Sequence, residues 1–184
     1  MKESRERQIA DFIGRIEPFL DAMLRDMRLI GDTPRTLENT AAWDRANVRA
    51  FFSVLEALSN FLRSQAQFLH DLGWKGLKTA QLEKLKPSAR LTCRENIKVS
   101  LEAIAILRNP GMLPMAFGEK PGWTKMLIAE RVRDRITHPK SAEDLVITAV
   151  ECEAFKEAVG WYFQLLIDCL ALERPPWLRA SHHS

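Results

Sequence analysis

Val48, Phe51, Phe52, Leu55, Leu58, Leu62 and Leu69 recur at helical spacing. They mark one face of a helix that starts between Asn39 and Asp44 and ends at Gly73, a residue suited to the left-handed position after a helix end. So long an apolar stripe needs matching faces elsewhere in the chain, because amphipathic burial rather than propensity holds such helices. The segment from Glu3 to Leu29 offers one. Ile9, Phe12, Ile13, Ile16, Leu20, Met23, Leu24 and Met27 form its stripe, with a kink predicted at Pro18. Gly31-Asp32-Thr33-Pro34 is the stop and turn between the two, which predicts an antiparallel hairpin.

The remaining segments repeat the pattern. A connector runs from Trp74 to Pro87, with a short helix over Thr79 to Leu85. Its Lys75-Gly76-Leu77-Lys78-Thr79 lacks the spacing of a phosphate loop and follows no strand. A third long helix is expected from Ala89 to Arg108, with Leu91, Ile97, Leu101, Ile104 and Leu107 inside and Asn109-Pro110-Gly111 as its stop. Met112 to Gly122 is expected to be an ordered loop. A fourth helix starts at Trp123 or Thr124, with Met126, Leu127, Ala129 and Ile136 as a partial apolar face, and ends at Thr137 because His138 precedes Pro139. Ser141 to Asp144 is a polar turn. Thr148 and Glu151 form a capping box that opens the last helix, which runs to Glu173 and ends before Pro175-Pro176. Phe155, Ala158, Tyr162, Leu165, Leu166, Cys169 and Leu170 are its inner face. There is no internal repeat and no useful period-two alternation. The expected fold is all-α: a bundle of four main antiparallel helices with short additional helices, in a single domain over 1–176 with a loose tail over 177–184 that holds His182 and His183.

Composition limits the function. The chain has 184 residues, 46% of them apolar and 28% charged, which is globular rather than disordered. A net charge of +3 is too small to argue for a polyanion partner by itself. Cys93, Cys152 and Cys169 are odd in number and far apart, so neither a zinc site nor a disulfide framework is expected, and a reducing, cytoplasmic setting fits. The first residues mix charge signs without an apolar stretch, unlike a signal peptide. Val159 to Leu172 is broken by Gln164 and Asp168 and is too short and polar to span a bilayer.

Chemistry concentrates in Arg133-Asp134-Arg135-Ile136-Thr137-His138-Pro139. Arginine offers a permanently charged fork that fits phosphate oxygens, and histidine takes and gives protons near neutral pH. Attack of a ribose 2′-hydroxyl on its own phosphodiester needs both services and no metal. At 100° per residue, a strict helix would turn Arg133 and His138 about 140° apart. Ending the helix at Pro139 is expected to let His138 swing back, with Asp134 hydrogen-bonding one ring nitrogen.

Arg133-Asp134-x-x-x-His138 resembles the R-[ND]-x-x-x-H signature of the HEPN superfamily. The setting is similar too: a helical bundle, the motif toward the C-terminal end, and a further long helix after it. The resemblance implies a metal-independent endoribonuclease, without cofactor, that leaves 2′,3′-cyclic phosphate and 5′-hydroxyl ends. It implies an RNA substrate, a homodimer with a composite cleft, and a role as a toxin or in antiviral defence, with an antitoxin protein as a possible partner. Arg133 would grip the phosphate, His138 would be general acid and base, and Asp134 would orient them. Two residues past the histidine stands Lys140, where the toxin branch paired with nucleotidyltransferases has tyrosine.

Other roles stay open for several residues. Arg131, Arg135 and Lys140 are either substrate-binding cations or a solvated basic face. Glu56 is either a supporting carboxylate of the cleft or an edge-of-face residue. Trp123 either stacks a base or packs in the core, and His70 is expected to cap a helix C-terminus. A helical module that binds a nucleotide, RNA or a protein without cutting is the alternative function.

Overall fold

The computed structural model describes residues 39–108 and 120–170 together with 7, 8, 10–12, 14–18, 21, 22, 25, 28, 32, 36 and 117. Among them all regular structure is helical. In chain order the elements are α1 (Thr40–Asp71), α2 (Thr79–Leu85), α3 (Cys93–Arg108), α4 (Pro121–Thr137), a 3₁₀ turn (Glu143–Leu145) and α5 (Ala149–Leu170). No described helix is long and apolar enough to cross a membrane.

Helix α1 is the centre of the core and packs against each of the other four labelled α-helices. Every apolar position predicted for it is buried, and Val54, Ser59, Arg63 and Ala66 widen the buried face beyond a single stripe. That width is what a helix with neighbours on several sides requires. Leu72 follows it, and Gly73 takes φ +90°, the left-handed conformation that costs glycine least. Ile97, Leu101, Ile104 and Leu107 of α3 are buried, as are Met126, Ala129 and Ile136 of α4 and Ala158, Tyr162, Leu166, Cys169 and Leu170 of α5.

Before α1, all the described residues from 7 to 28 are helical, including Pro18, and Phe12 and Ile16 reach the core. The Trp74 indole N–H donates to Gln8 at 2.8 Å and ties this segment to the α1–α2 connector. Ile9, Ile13, Leu20, Met23, Leu24 and Met27 lie outside the described residues. So does the chain from 171 onward, which takes in the predicted end of the last helix and the tail.

Two predicted helix starts shift, each for a local reason. Helix α3 begins at Cys93 rather than near Ala89, because Thr92 and Glu95 form a capping box. The Thr92 N–H donates to the Glu95 carboxylate at 2.9 Å, and the Glu95 N–H donates to Thr92 Oγ1 at 3.3 Å. Leu91 therefore lies before the helix and is half-buried. Helix α4 begins at Pro121, inside the predicted loop, since proline's fixed φ and missing N–H suit a first turn. The Thr148–Glu151 box forms as predicted, with the Thr148 N–H on the Glu151 carboxylate at 2.8 Å.

Of the segment expected to be a loop before α4, residues 112–116, 118 and 119 lie outside the described residues, and Phe117 is buried against Trp123 and Trp161 in edge-to-face contacts at 5.4 and 6.5 Å. Trp123 is therefore a core residue and is not free to stack a base. Gly122, in the first turn of α4, faces the near end of the Trp161 side chain, and a methyl there would overlap its Cβ and ring. Helix propensity alone would favour Gly122→Ala by about 1 kcal/mol. We predict instead a loss of about 1–3 kcal/mol in chemical denaturation, because Trp161 is pinned by Phe117 and Trp123 and has nowhere to move. A stabilised variant would show that α4 and α5 are not in such close contact.

Candidate functional site

The motif lies on the last turns of α4. Arg133 is half-buried. One η nitrogen donates to Glu56 on α1 at 2.8 Å, and the other pairs with the Asp134 carboxylate at 3.1 Å. Its guanidinium carbon stands 5.2 Å from the centre of the Phe52 ring, also on α1, at cation–π range. Its Nε is shielded from solvent and has no hydrogen-bond partner. Glu56 is thus a supporting carboxylate facing Arg133. With five N–H donors in the guanidinium, each η nitrogen keeps a second hydrogen beyond these pairs.

His138 is the C-cap of α4, with φ −124° and ψ 57°. Its backbone N–H still donates to the Asp134 carbonyl at 3.0 Å, so the helical ladder persists up to it and the chain departs only beyond. The ring is exposed, and no hydrogen bond joins it to Asp134 or Arg133. The predicted Asp134–His138 side-chain bond gives way to the Asp134–Arg133 pair, because a permanently charged guanidinium beside the carboxylate outcompetes an imidazole across a turn.

The flanking cations differ in what they do. Arg135 makes three hydrogen bonds. It donates to the carbonyls of Asp144 and Val146 at 3.1 and 2.7 Å and to the Glu151 carboxylate at 2.8 Å. It therefore braces the segment after the motif against the start of α5, and Glu151 serves at once as cap and as counter-ion. Asp144 completes that turn by accepting the backbone N–H groups of Lys140 and Ser141 at 2.7 and 3.2 Å. Arg131 is exposed and folds back to the Leu127 carbonyl at 3.3 Å, and the Lys140 side chain is exposed. Two arginines of α1 reach the same end: Arg49 donates to the Ile136 carbonyl, and Arg45 to the Leu145 carbonyl at 3.2 Å. Arg49 satisfies one of the carbonyls a helix end leaves open and offsets the negative end of its dipole.

Three further residues belong to this cluster and carried no local sequence signal. Glu130, one turn before Asp134, is buried and pairs with Arg94 of α3 at 2.8 Å. Burial raises its carboxyl above the ordinary range, against the pull of Arg94. Cys93 lies beside them at the start of α3. Burial, then the nearby Glu56 and Glu130 carboxylates, push its thiol up to about 11 despite Arg133. The described residues contain no group of side chains arranged to hold a metal ion, and none of Cys93, Cys152 and Cys169 forms a disulfide. Comparison of the chain with protein-family models, with curated proteins and with solved structures gave no match.

The Cys93 environment has a consequence in alkali. In the unfolded chain this thiol ionises at its ordinary value of 9.0, ahead of the folded value of about 11. The fold holds the proton longer, so its contribution is intact below pH 9 and is lost as pH rises from about 9 to about 11. Thermal melts at stepped pH should show a shallower alkaline decline for Cys93→Ala than for the wild type. Identical slopes would place Cys93 in an ordinary, solvated setting.

Proposed function

We propose that the chain is a metal-independent endoribonuclease of the HEPN type that works as a homodimer. The observation that carries this reading is that an anchored arginine and an exposed histidine both sit on the last turns of one helix. Arg133 is steadied by Glu56 and Phe52, as a phosphate clamp needs to be, and the His138 ring is open to solvent, as a proton carrier needs to be. In this mechanism His138 takes the proton of the ribose 2′-hydroxyl. The freed oxygen attacks the adjacent phosphorus, Arg133 stabilises the charge on the phosphoryl oxygens, and the 5′-oxygen leaves with a proton supplied by the second subunit's motif. The products are a 2′,3′-cyclic phosphate and a 5′-hydroxyl. The mate would meet this end of the molecule, where Val146 and Val150 are 57% and 77% exposed on the segment that Arg135 braces. Exposed Arg131 and Lys140 would guide RNA, while Arg135 shapes the loop. A toxin or defence role, with an antitoxin as partner in the cytoplasm, follows from the same family resemblance.

A second reading has one observation in its favour: both η nitrogens of Arg133 already hold carboxylates. On that reading the module binds a nucleotide, RNA or a partner protein and cuts nothing.

Incubation with mixed RNA in excess chelator separates the two. The ribonuclease reading predicts cyclic-phosphate ends, and a loss of about 10²-fold or more in both His138→Ala and Arg133→Lys, with wild-type circular dichroism. RNA that is bound yet intact selects the second reading. Cleavage that requires Mg²⁺, or that survives His138→Ala, contradicts the proposed mechanism.

A further inference from the structure

Behind Arg133, a groove of about 450 Å³ opens between α1 and the start of α3, with Glu56 on its wall. That volume is within the range of about 300–1,000 Å³ usual for small-molecule sites. Glu56, Asn60 and Arg63 line it from α1 at helical spacing, Asn96 from α3, and Pro87, Arg90 and Leu91 from the connecting segment.

The polarity of this wall is set by Arg63. Arg63 is buried, and an arginine can only donate. One η nitrogen donates to the Lys86 carbonyl at 2.9 Å and the other to Asn96 Oδ1 at 3.2 Å. Asn96 must therefore turn its amide nitrogen the other way, where it donates to Asn60 Oδ1 at 2.9 Å. Asn60, with its oxygen engaged inward, is left to present its NH₂ group. The orientation of both amides thus follows from a donor-only neighbour. One helical turn away, Glu56 has given Oε1 to Arg133 and keeps Oε2 as a further acceptor. Residues four apart on a helix have Cβ atoms about 5–6 Å apart, comparable to the width of a base edge. The wall therefore offers an amide donor beside a carboxylate acceptor, with a cation at Arg90 and apolar lining at Pro87 and Leu91.

Guanine is the standard base whose pairing edge places a carbonyl oxygen beside two adjacent N–H donors. We propose that this groove binds guanine, with O6 on the Asn60 amide, N1–H and the 2-amino group converging on Glu56 Oε2, and the attached phosphate on Arg90. Two adjacent donors facing a carboxylate make charge-assisted bonds, which adenine, cytosine and uracil cannot match in pairs. The groove can hold guanine whether or not Arg133 and His138 cut RNA.

The test titrates the full chain with GMP, AMP, CMP, UMP and IMP, followed by calorimetry or NMR shifts. GMP should bind about tenfold or more tightly than AMP, CMP and UMP. IMP, lacking the 2-amino group, should bind about threefold to tenfold more weakly than GMP, as expected for one lost hydrogen bond. Asn60→Asp keeps an oxygen for Asn96 but replaces the donor facing the groove, so the ratio of GMP to the other nucleotides should collapse. Arg90→Ala should weaken all nucleotides alike and leave the ratio intact. A parallel titration uses short oligoribonucleotides that differ in one G. Preference already present in GMP assigns the groove to free guanine nucleotides as well as RNA, and preference confined to the oligomers assigns it to guanine within RNA. Equal affinity for all four bases in both arms, no binding in either, or a preference that survives Asn60→Asp overturns the proposal. Guanine preference with uncut RNA would sink the cleavage mechanism alone, and cleavage without guanine preference would sink the groove alone.

Discussion

The site depends on a guanidinium held from outside its own helix. Arg133 projects from α4, but Glu56 and Phe52, both on α1, fix where it points. Helix α1 is the element that every other labelled α-helix packs against, so the charge is held from the centre of the core. Half-burial removes much of the water that would otherwise weaken the pair, and the aromatic face beneath restricts its direction. The same anchoring has a cost for chemistry: the carboxylates that steady Arg133 also offset its charge, and a phosphate must compete with them or use the remaining hydrogens.

Around that anchor, the end of α4 is tied down by side chains rather than by backbone alone. Arg49 meets the Ile136 carbonyl, Arg135 meets two carbonyls and the capping glutamate of α5, and Asp144 closes the turn between them. These bonds leave His138 at the rim with its ring in solvent. A braced helix end with an exposed histidine is what the proposed proton transfer would use, and on the far side of Glu56 lies the groove proposed to bind guanine. Glu56 then links the two, since it accepts from Arg133 through Oε1 and also lines the groove.

The helices themselves are legible in the sequence because burial writes a period into it. The stripe from Val48 to Leu69 is read directly from spacing, as is most of the inner face of α5, where Phe155 and Leu165 are only half-buried and Ala154, Phe163 and Ile167 join the buried side, and the Thr148–Glu151 cap is read from its residue types. The start of α3 was equally available in Thr92 and Glu95, the same kind of box, and that of α4 in Pro121. The contacts of the site are another matter. Glu56 and Arg133 stand 77 residues apart, and no local pattern joins them. Asp134 could have served either neighbour by spacing, and only the fold shows it turned to Arg133. Arg135 reads as a surface cation until the loop it braces is in view. The groove depends on a chain of amide orientations that begins at a buried arginine, and such a chain has no signature in sequence.

A double-mutant cycle on Glu56→Gln and Arg133→Gln, measured by chemical denaturation, addresses the anchor itself. Glu56 is partly exposed, so solvent trims the interaction, and a coupling of at least about 0.5 kcal/mol is expected. Effects that add to within about 0.3 kcal/mol would mean that Arg133 is not held by α1. The phosphate clamp built on that hold would then have no foundation.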